Sequence, residues 1–558
     1  MGIQINLAMK TKLLACLVLA GAMLLAGPCT LHAQPSQYST NNFTFFYTVS
    51  NGVATIVGAT GSGAMVIPGA LKGVPVKSIG AGSFRFNGSI TNVIITNGVT
   101  SIGEYAFSRC PNLTYAELGS SVTDIEYAVF SRCATLNQLI VDAPNPAYSA
   151  ADGVLFDKNQ TTLICCPNGL VGNYVVPAGV TNIARSAFSR CACLTNITIP
   201  SSVTGIGSNA FSFCSSLASI TIPDTVSNIG PSTFTRCTSL TNVTLGANVT
   251  SLGTMAFIFC TNLTSIAIPD SVTNISSDLF DFSSGLTTVS MGARVAGIGD
   301  SAFWACTSLI SVSIPNNVTN IKNNAFWYCT SLTNITIGSG VDTIGTNAFY
   351  WCPSLIGINV DPLNPAFCSR GGTLFNKSQT TLIQYPIGST GGYTVPNGVT
   401  SIGNFAFSDS DNLSSVKIPG SVTNLGVSAF EDCENLTSLY FIGNAPVADA
   451  TAFNYDSNTI VYYFSGSTGW SATLAGVPTA LWNLQVPTNP GSIGVQANQF
   501  GFKITGTSNL VVVIEGCTNL SNPDWQPVRT NTLTGGSSYF SDPQWTNYPG
   551  RFYRLFSP

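Results

Sequence analysis

A cysteine, or a small polar stand-in, recurs every 23 residues along most of this chain, and few folds tolerate such a constraint. Aligned on the frame A-F-x-x-C, Cys191, Cys214, Cys237 and Cys260 follow one another at that spacing, Ser283 fills the next slot, and Cys306, Cys329 and Cys352 continue. Asn87, Cys110 and Cys133 extend the series upstream, and Ser410 and Cys433 downstream. A fixed period of this length is the mark of a solenoid, in which each unit buries its apolar face only by stacking on its neighbours.

One unit, "LTNITIPSSVTGIGSNAFSFCSS" at 194–216, contains two periodicities. Its first part alternates as a half-buried strand does and stops at Pro200, where a ladder amide is missing. A second short apolar pair, Val203 and Ile206, precedes Gly207, where the chain must bend. In the unit at 325–332, "AFWYCTSL", the residues Ala325, Phe326, Cys329 and Leu332 have the spacing of one inward-facing helical or 3₁₀ turn. That phasing turns the two intervening residues, here Trp327 and Tyr328, outward.

Two intervals are stretched to 58 residues, Cys133 to Cys191 and Cys352 to Ser410, and their inserts match: "VDAPNPAYSAADGVLFDKNQTTLICCP" and "VDPLNPAFCSRGGTLFNKSQTTLIQYP". Each reads as a hairpin, two short strands about a polar turn, added to one coil. The run Leu332-Thr-Asn-Ile335-Thr-Ile337 fits the leucine-rich pattern L-x-x-L-x-L, but a "P-x-x-V-x-x-I-G-x-x-A-F-x-x-C" half replaces the usual Asn-x-Leu. This combination resembles the BspA-type bacterial leucine-rich repeat family, over roughly residues 45–484. The expected fold is mainly β: a right-handed leucine-rich-repeat solenoid of 23-residue repeats with two 58-residue long units, then a small all-β C-terminal module.

The expected organisation is a signal peptide over 1–33, an N-terminal cap over 34–72, the solenoid over 73–445, a C-terminal cap over 446–484, a linker over 485–493 and the all-β module over 494–558. The signal reading rests on Lys10 and Lys12 before the apolar run "LLACLVLAGAMLLAG" and on Ala33 before Gln34. No second run is long enough to span a bilayer. Cleavage removes His32, the only histidine, so no Ser-His or Cys-His pair and no histidine metal ligand remains. It also removes two of the 20 basic residues and none of the 24 acidic ones, which moves the net charge from −4 to −6 and argues against nucleic acid.

Chemistry is sparse in what is left. The 15 remaining cysteines are an odd number, and the ten in the repeat slot read as small buried thiols used for packing. In Cys165-Cys166, one side chain faces out unless something covers it. Asp224 and Asp270 stand where a turn uses Asp for its own backbone, and no carboxylate pair with catalytic spacing stands out. No catalytic residue, metal site or cofactor is expected.

The two slots inside A-F-x-x-C are the exception. Stacked, they form an outer stripe that runs from basic (Arg109, Arg132, Arg190, Arg236) through aromatic (Phe213, Phe259, Phe282, Trp304, Trp327, Tyr328, Tyr350, Trp351) to acidic (Asp409, Asp432). Contiguous exposed apolar area marks interaction sites, so the aromatics form a candidate ligand-binding strip and the arginines a second, basic one. The family resemblance implies a secreted or cell-surface, non-catalytic protein that binds an extracellular protein or glycan by adhesion-like contacts. A carbohydrate-active protein and a structural envelope component are the alternatives.

Overall fold

The computed structural model describes residues 35–40, 42–464, 466–506, 510–521 and 523–556; the signal-peptide reading lies outside them. Among these residues there is no α-helix. The chain forms a right-handed β-solenoid with a small β-module after it.

Each coil contributes one strand to each of two parallel ladders. In the first, Ser219–Thr221 pairs with Asn242–Thr244 in a register offset of one repeat, Ser219 against Asn242. In the second, two-residue strands such as Gly205–Ile206 pair with Asn228–Ile229. Gly207 follows because a Cβ there would lie 2.6 Å from the backbone nitrogen of Arg185 in the preceding coil. Threonine hydroxyls add a third set of inter-coil bonds, Thr241 Oγ1 donating to the Ala218 carbonyl at 3.1 Å and Thr250 Oγ1 to Ser227 at 3.0 Å. Neutral hydroxyl ladders are the physical reason a chain with 8% charged residues keeps a polar surface.

The A-F-x-x-C segment closes each coil, and here the expected 3₁₀ turn is half of the story. The amides of Trp304 and Cys306 donate three residues back, to Ser301 and Phe303, as in a 3₁₀ turn. Those of Ser301, Phe303 and Ala305 donate instead to Asn323, Ala325 and Trp327 in the next coil. This alternation needs left-handed backbone twice per unit, at Ser301 (φ 53°) and Ala305 (φ 53°) and at their counterparts throughout. Such residues cost about 1–2 kcal/mol each outside glycine, and the inter-coil bonds offset that cost.

Inside, the phenylalanines form a stack. Rings from Phe188 to Phe349 follow one another at centroid distances of 5.1–5.9 Å. The cysteines do more than fill space. Cys214 Sγ donates to the Phe188 carbonyl of the preceding coil at 3.1 Å, and Cys237, Cys260, Cys306, Cys329 and Cys352 repeat the contact. Ser283 fits the slot because its hydroxyl makes the same bond, 2.6 Å to Phe257. All 15 described cysteines are free thiols, and burial raises the slot thiols from Cys214 onward, Cys237 and Cys352 to about 12. Cys237→Ser is therefore expected to leave the melting temperature within a few degrees of wild type. Cys237→Val, which removes the thiol donor to the Phe211 carbonyl and leaves it the Cys214 amide alone, is expected to lose about 0.5–1.5 kcal/mol in urea unfolding.

The inserts contain the expected hairpins, Val154–Asp157 with Thr162–Cys165 and Thr373–Asn376 with Thr381–Gln384. Each carries a further antiparallel strand that the sequence pattern did not indicate, Tyr148–Ala151 and Phe367–Arg370. Cys166 is buried and Cys165 half-buried, covered by the neighbouring coil, so neither is a free outward thiol. At the N-terminal side, Phe43–Ser50 and Val53–Gly61 form a hairpin over the first coil. At the other end, Val477–Trp482 closes the ladder and Trp470 Nε1 donates to Gly443. Residues 493–556 form two three-stranded antiparallel sheets around Phe502, Ile504, Val512, Ile514, Leu533 and Phe540. Gln485 and Thr505 exchange both backbone bonds, which ties the segment after the cap to this module.

Candidate functional site

The two slots between Phe and Cys line one side of the solenoid, and the structure sorts them into two rows. The second slot is left-handed in every unit, with φ of 61° at Arg109, 58° at Phe259 and 56° at Trp351. No glycine occupies it. The strain is accepted at side chains as large as Arg, Phe and Trp, and glycine composition gives no hint of it.

At the basic end, Arg109 and Arg190 are half-buried and Arg132 is exposed. Phenylalanines separate the guanidiniums. Arg190 lies 3.9 Å from the Phe213 ring centroid, and Arg236 lies 5.6 Å from the same ring and 4.4 Å from Phe259. One coil earlier the pattern already exists: Arg85 and Arg109 flank Phe86 at 5.0 and 4.8 Å. Arg85 and Phe86 belong to the frame "SFRFN", where Asn87 holds the cysteine slot, so extending the stripe one unit upstream finds them. Among the described residues, none of Arg85, Arg109, Arg132, Arg190 and Arg236 has a carboxylate within 4.0 Å. Arg190 is lowered to about 10, first by burial and then by Arg132, Arg109 and Arg236. Arg132 is lowered for the same reasons, burial and then Arg109 and Arg85.

In the middle, Phe259 and Phe282 stack at 4.9 Å. Ala305 interrupts the second row, and the aromatic contact crosses to the first slot through Phe282 and Trp304 at 6.0 Å. Trp304 and Trp327 then lie parallel at 5.0 Å, and Tyr350 meets Trp327 edge-on at 5.7 Å. Tyr328 and Trp351 form a separate stacked pair at 5.6 Å.

The outward phasing of the first slot needs correction. Trp304 is 4% exposed, and Trp327 and Tyr350 are half-buried. The neighbouring coil covers the first-slot ring of Trp304, and it covers Trp327 as far as its second-slot neighbour Tyr328. Of the eight aromatics, Trp351 is exposed, at 39%, and Phe213, Phe259, Phe282 and Tyr328 present partial edges. Trp304→Ala is accordingly expected to cost about 3–5 kcal/mol in chemical unfolding, as a core aromatic does. Trp327→Ala should cost measurably less, but more than the near-zero change that an outward ring implies.

At the acidic end, Asp409 and Asp456 are raised to about 6 and about 7, both chiefly by burial. Asp456 occupies the slot after Cys433, and its Oδ1 accepts the Cys433 amide at 2.7 Å, capping the ladder. Asp224 and Asp270 serve the next coil rather than their own turns, accepting the amides of Ala247 and Ala293 at 2.7 Å. Among the described residues no three His, Cys, Asp or Glu side chains are grouped to hold a metal ion, and no helix is long and apolar enough to cross a membrane.

A family model described as BspA type Leucine rich repeat region matches in six copies, over residues 77–172, 165–287, 250–381 and 387–473. Among solved structures, a leucine-rich repeat protein from Bacteroides ovatus ATCC 8483 is 24% identical, covers 72% of this chain and 94% of its own, and has a TM-score of 0.45. A leucine-rich repeat protein from Eubacterium ventriosum ATCC 27560 is 25% identical, with 53% and 94% covered and a TM-score of 0.40. A leucine rich cell surface protein from Faecalibacterium prausnitzii A2-165 is 23% identical, with 78% and 90% covered and a TM-score of 0.28. No curated protein matches the chain.

Proposed function

The chain belongs to the BspA type leucine-rich repeat family, and from that premise we propose that it is an exported, non-catalytic binding protein whose outer stripe engages an extracellular partner. Leucine-rich repeats of this type are scaffolds for protein interaction and surface binding. The finer reading, an adhesin-like protein held at or released from the cell surface, is supported by the signal-like leader "MKTKLLACLVLAGAMLLAGPCTLHA" and by the stripe itself.

The single observation that carries the reading is the unsatisfied chemistry of that stripe. Elsewhere the polar groups of the solenoid pair across coils through hydroxyl and amide bonds. Along the stripe, arginines without carboxylates, the exposed edge of Trp351 and half-buried carboxylates follow one another in register. A surface that gathers arginines in register with no carboxylate in reach suits a partner that supplies the missing groups.

The test is a binding screen of residues 34–558 on arrays of extracellular proteins and glycans, beside a variant carrying Phe213→Ser, Phe259→Ser, Tyr328→Ser and Trp351→Ser. These four positions leave the buried Trp304 in place. The expected result is a ligand held by the wild type and lost by the variant, with both showing the same β-rich circular dichroism. A ligand held equally by both would remove the stripe from the site.

A further inference from the structure

We infer that the basic end of the stripe is a site for a linear anionic polysaccharide, one bearing sulfate or carboxylate groups along its length, held by Arg85, Arg109, Arg132, Arg190 and Arg236. The assignment rests on the reading of the stripe as a recognition surface and names what its basic half takes.

Three observations lead to it. The arginines come from coils on one side of the solenoid, Arg109 and Arg132 one repeat apart and Arg190 and Arg236 two repeats apart with Phe213 between them, and the coils of a parallel ladder are about 4.7–4.9 Å apart. The result is a series of cations one or two coils apart, roughly 5 to 10 Å, comparable with the advance of one or two sugar rings along a linear chain. Their charges are uncompensated: the groups acting on Arg132 and Arg190 are other arginines and tyrosines, and no carboxylate is among them. In a chain with more acids than bases, five cations gathered without a counter-ion form a local field opposite to the net charge.

The third observation separates a polysaccharide from a single-stranded nucleic acid, which also uses cations with aromatic rings. Base stacking needs an open ring face. Here Phe213 has Arg190 and Arg236 in the coils on either side, and Phe259 has Arg236 and Phe282. The rings lie against the guanidiniums of Arg190 and Arg236, whose planar N–H forks have no carboxylate partner. Such forks match the two-oxygen edge of a sulfate or carboxylate. Removal of a neutral ring from this arrangement disorders the forks, whereas removal of an arginine deletes a contact.

The experiment is biolayer interferometry with residues 34–558 over immobilised dextran sulfate, uncharged dextran and oligo-dT, from 50 to 500 mM NaCl. Wild type is expected to bind dextran sulfate, more weakly as salt rises, and to ignore uncharged dextran. Arg132→Gln, an exposed position with no ring contact, is expected to weaken binding about tenfold, the loss of one charge-assisted contact. Arg109→Gln, Arg132→Gln, Arg190→Gln and Arg236→Gln combined should abolish it while circular dichroism stays unchanged. A control, Arg370→Gln with Lys377→Gln in the second insert, should bind as wild type does. Absence of binding at 50 mM NaCl would overturn the proposal, as would undiminished binding by Arg132→Gln and the fourfold variant. Equal affinity for oligo-dT would also overturn it, since the row would then be reading charge alone. A protein ligand found on the array with no response to dextran sulfate would leave the stripe as a binding surface and remove this assignment.

Discussion

Phe326→Asp is expected to abolish folding of the central coils. The ring of Phe326 is fully buried between Phe303 at 5.1 Å and Phe349 at 5.9 Å. Truncation to alanine there should already cost about 3–5 kcal/mol, through lost transfer energy and an unfilled cavity. An aspartate adds an ionised group with no cation or donor in reach, and removing such a charge from water costs several kcal/mol more. Typical domains are stable by about 5–15 kcal/mol. Because each coil packs only on its neighbours, loss should spread outward from the site rather than stop there. Circular dichroism and hydrogen exchange across 257–407 would show it, as a lost melting transition and fast exchange of the ladder amides. A melting curve equal to that of wild type would mean that the Phe row is not the core.

The second large effect is a dependence on pH at the C-terminal end of the ladder. Asp456 is raised to about 7 and Asp409 to about 6, in each case first by burial. Both values lie above the ordinary carboxyl range near 3.9. A carboxyl whose folded-state value is raised binds its proton more tightly folded than unfolded, so the folded state gains stability as pH falls. That contribution is fully present below about pH 4 and is lost as pH rises through 6 to 7. Thermal melts between pH 8 and pH 4.5 should therefore show the last coils becoming more stable on acidification, the reverse of ordinary acid denaturation. Asp456→Asn keeps an oxygen to accept the Cys433 amide and removes the charge. It should raise the melting temperature at pH 7.5 and flatten this part of the pH profile. A variant less stable than wild type at pH 7.5 would show that the ionised carboxylate is stabilising, against the burial argument.

Most of the scaffold was legible because solenoid packing writes itself into sequence as a period. Phe326 and Cys329 are buried for the reason that their spacing implies, and the hairpins at 154–165 and 373–384 follow from alternation around a polar turn. Less visible were features created by the neighbouring coil. The bond from Cys214 to the Phe188 carbonyl joins residues 26 apart; its trace in sequence is that serine, a donor, replaces cysteine at 283 and 410. The same holds for Asp224, which reads as a local turn residue and serves an amide one repeat away.

The stripe was legible as a list and not as a surface. A turn template treats Trp327 and Tyr328 alike, since both fall between inward positions. The structure leaves both half-buried, while it tucks the first-slot ring of Trp304 under its neighbour and leaves Trp351 at the edge. Most of the left-handed residues in the second slot are arginines and aromatics, types whose presence argues against such backbone. The interleaving of Arg and Phe, by contrast, was available to sequence reading, including the missed pair Arg85 and Phe86.

Hydroxyl-radical footprinting of residues 34–558, alone and saturated with dextran sulfate, tests most directly whether the stripe is where this protein meets its partner. Oxidation of Phe86, Phe213 and Phe259, which sit between the arginines, should fall on binding, while Tyr539 and Phe552 in the C-terminal module stay unchanged. Protection confined to Tyr539 and Phe552, with the three stripe residues oxidised as before, would contradict the account and place recognition in the module.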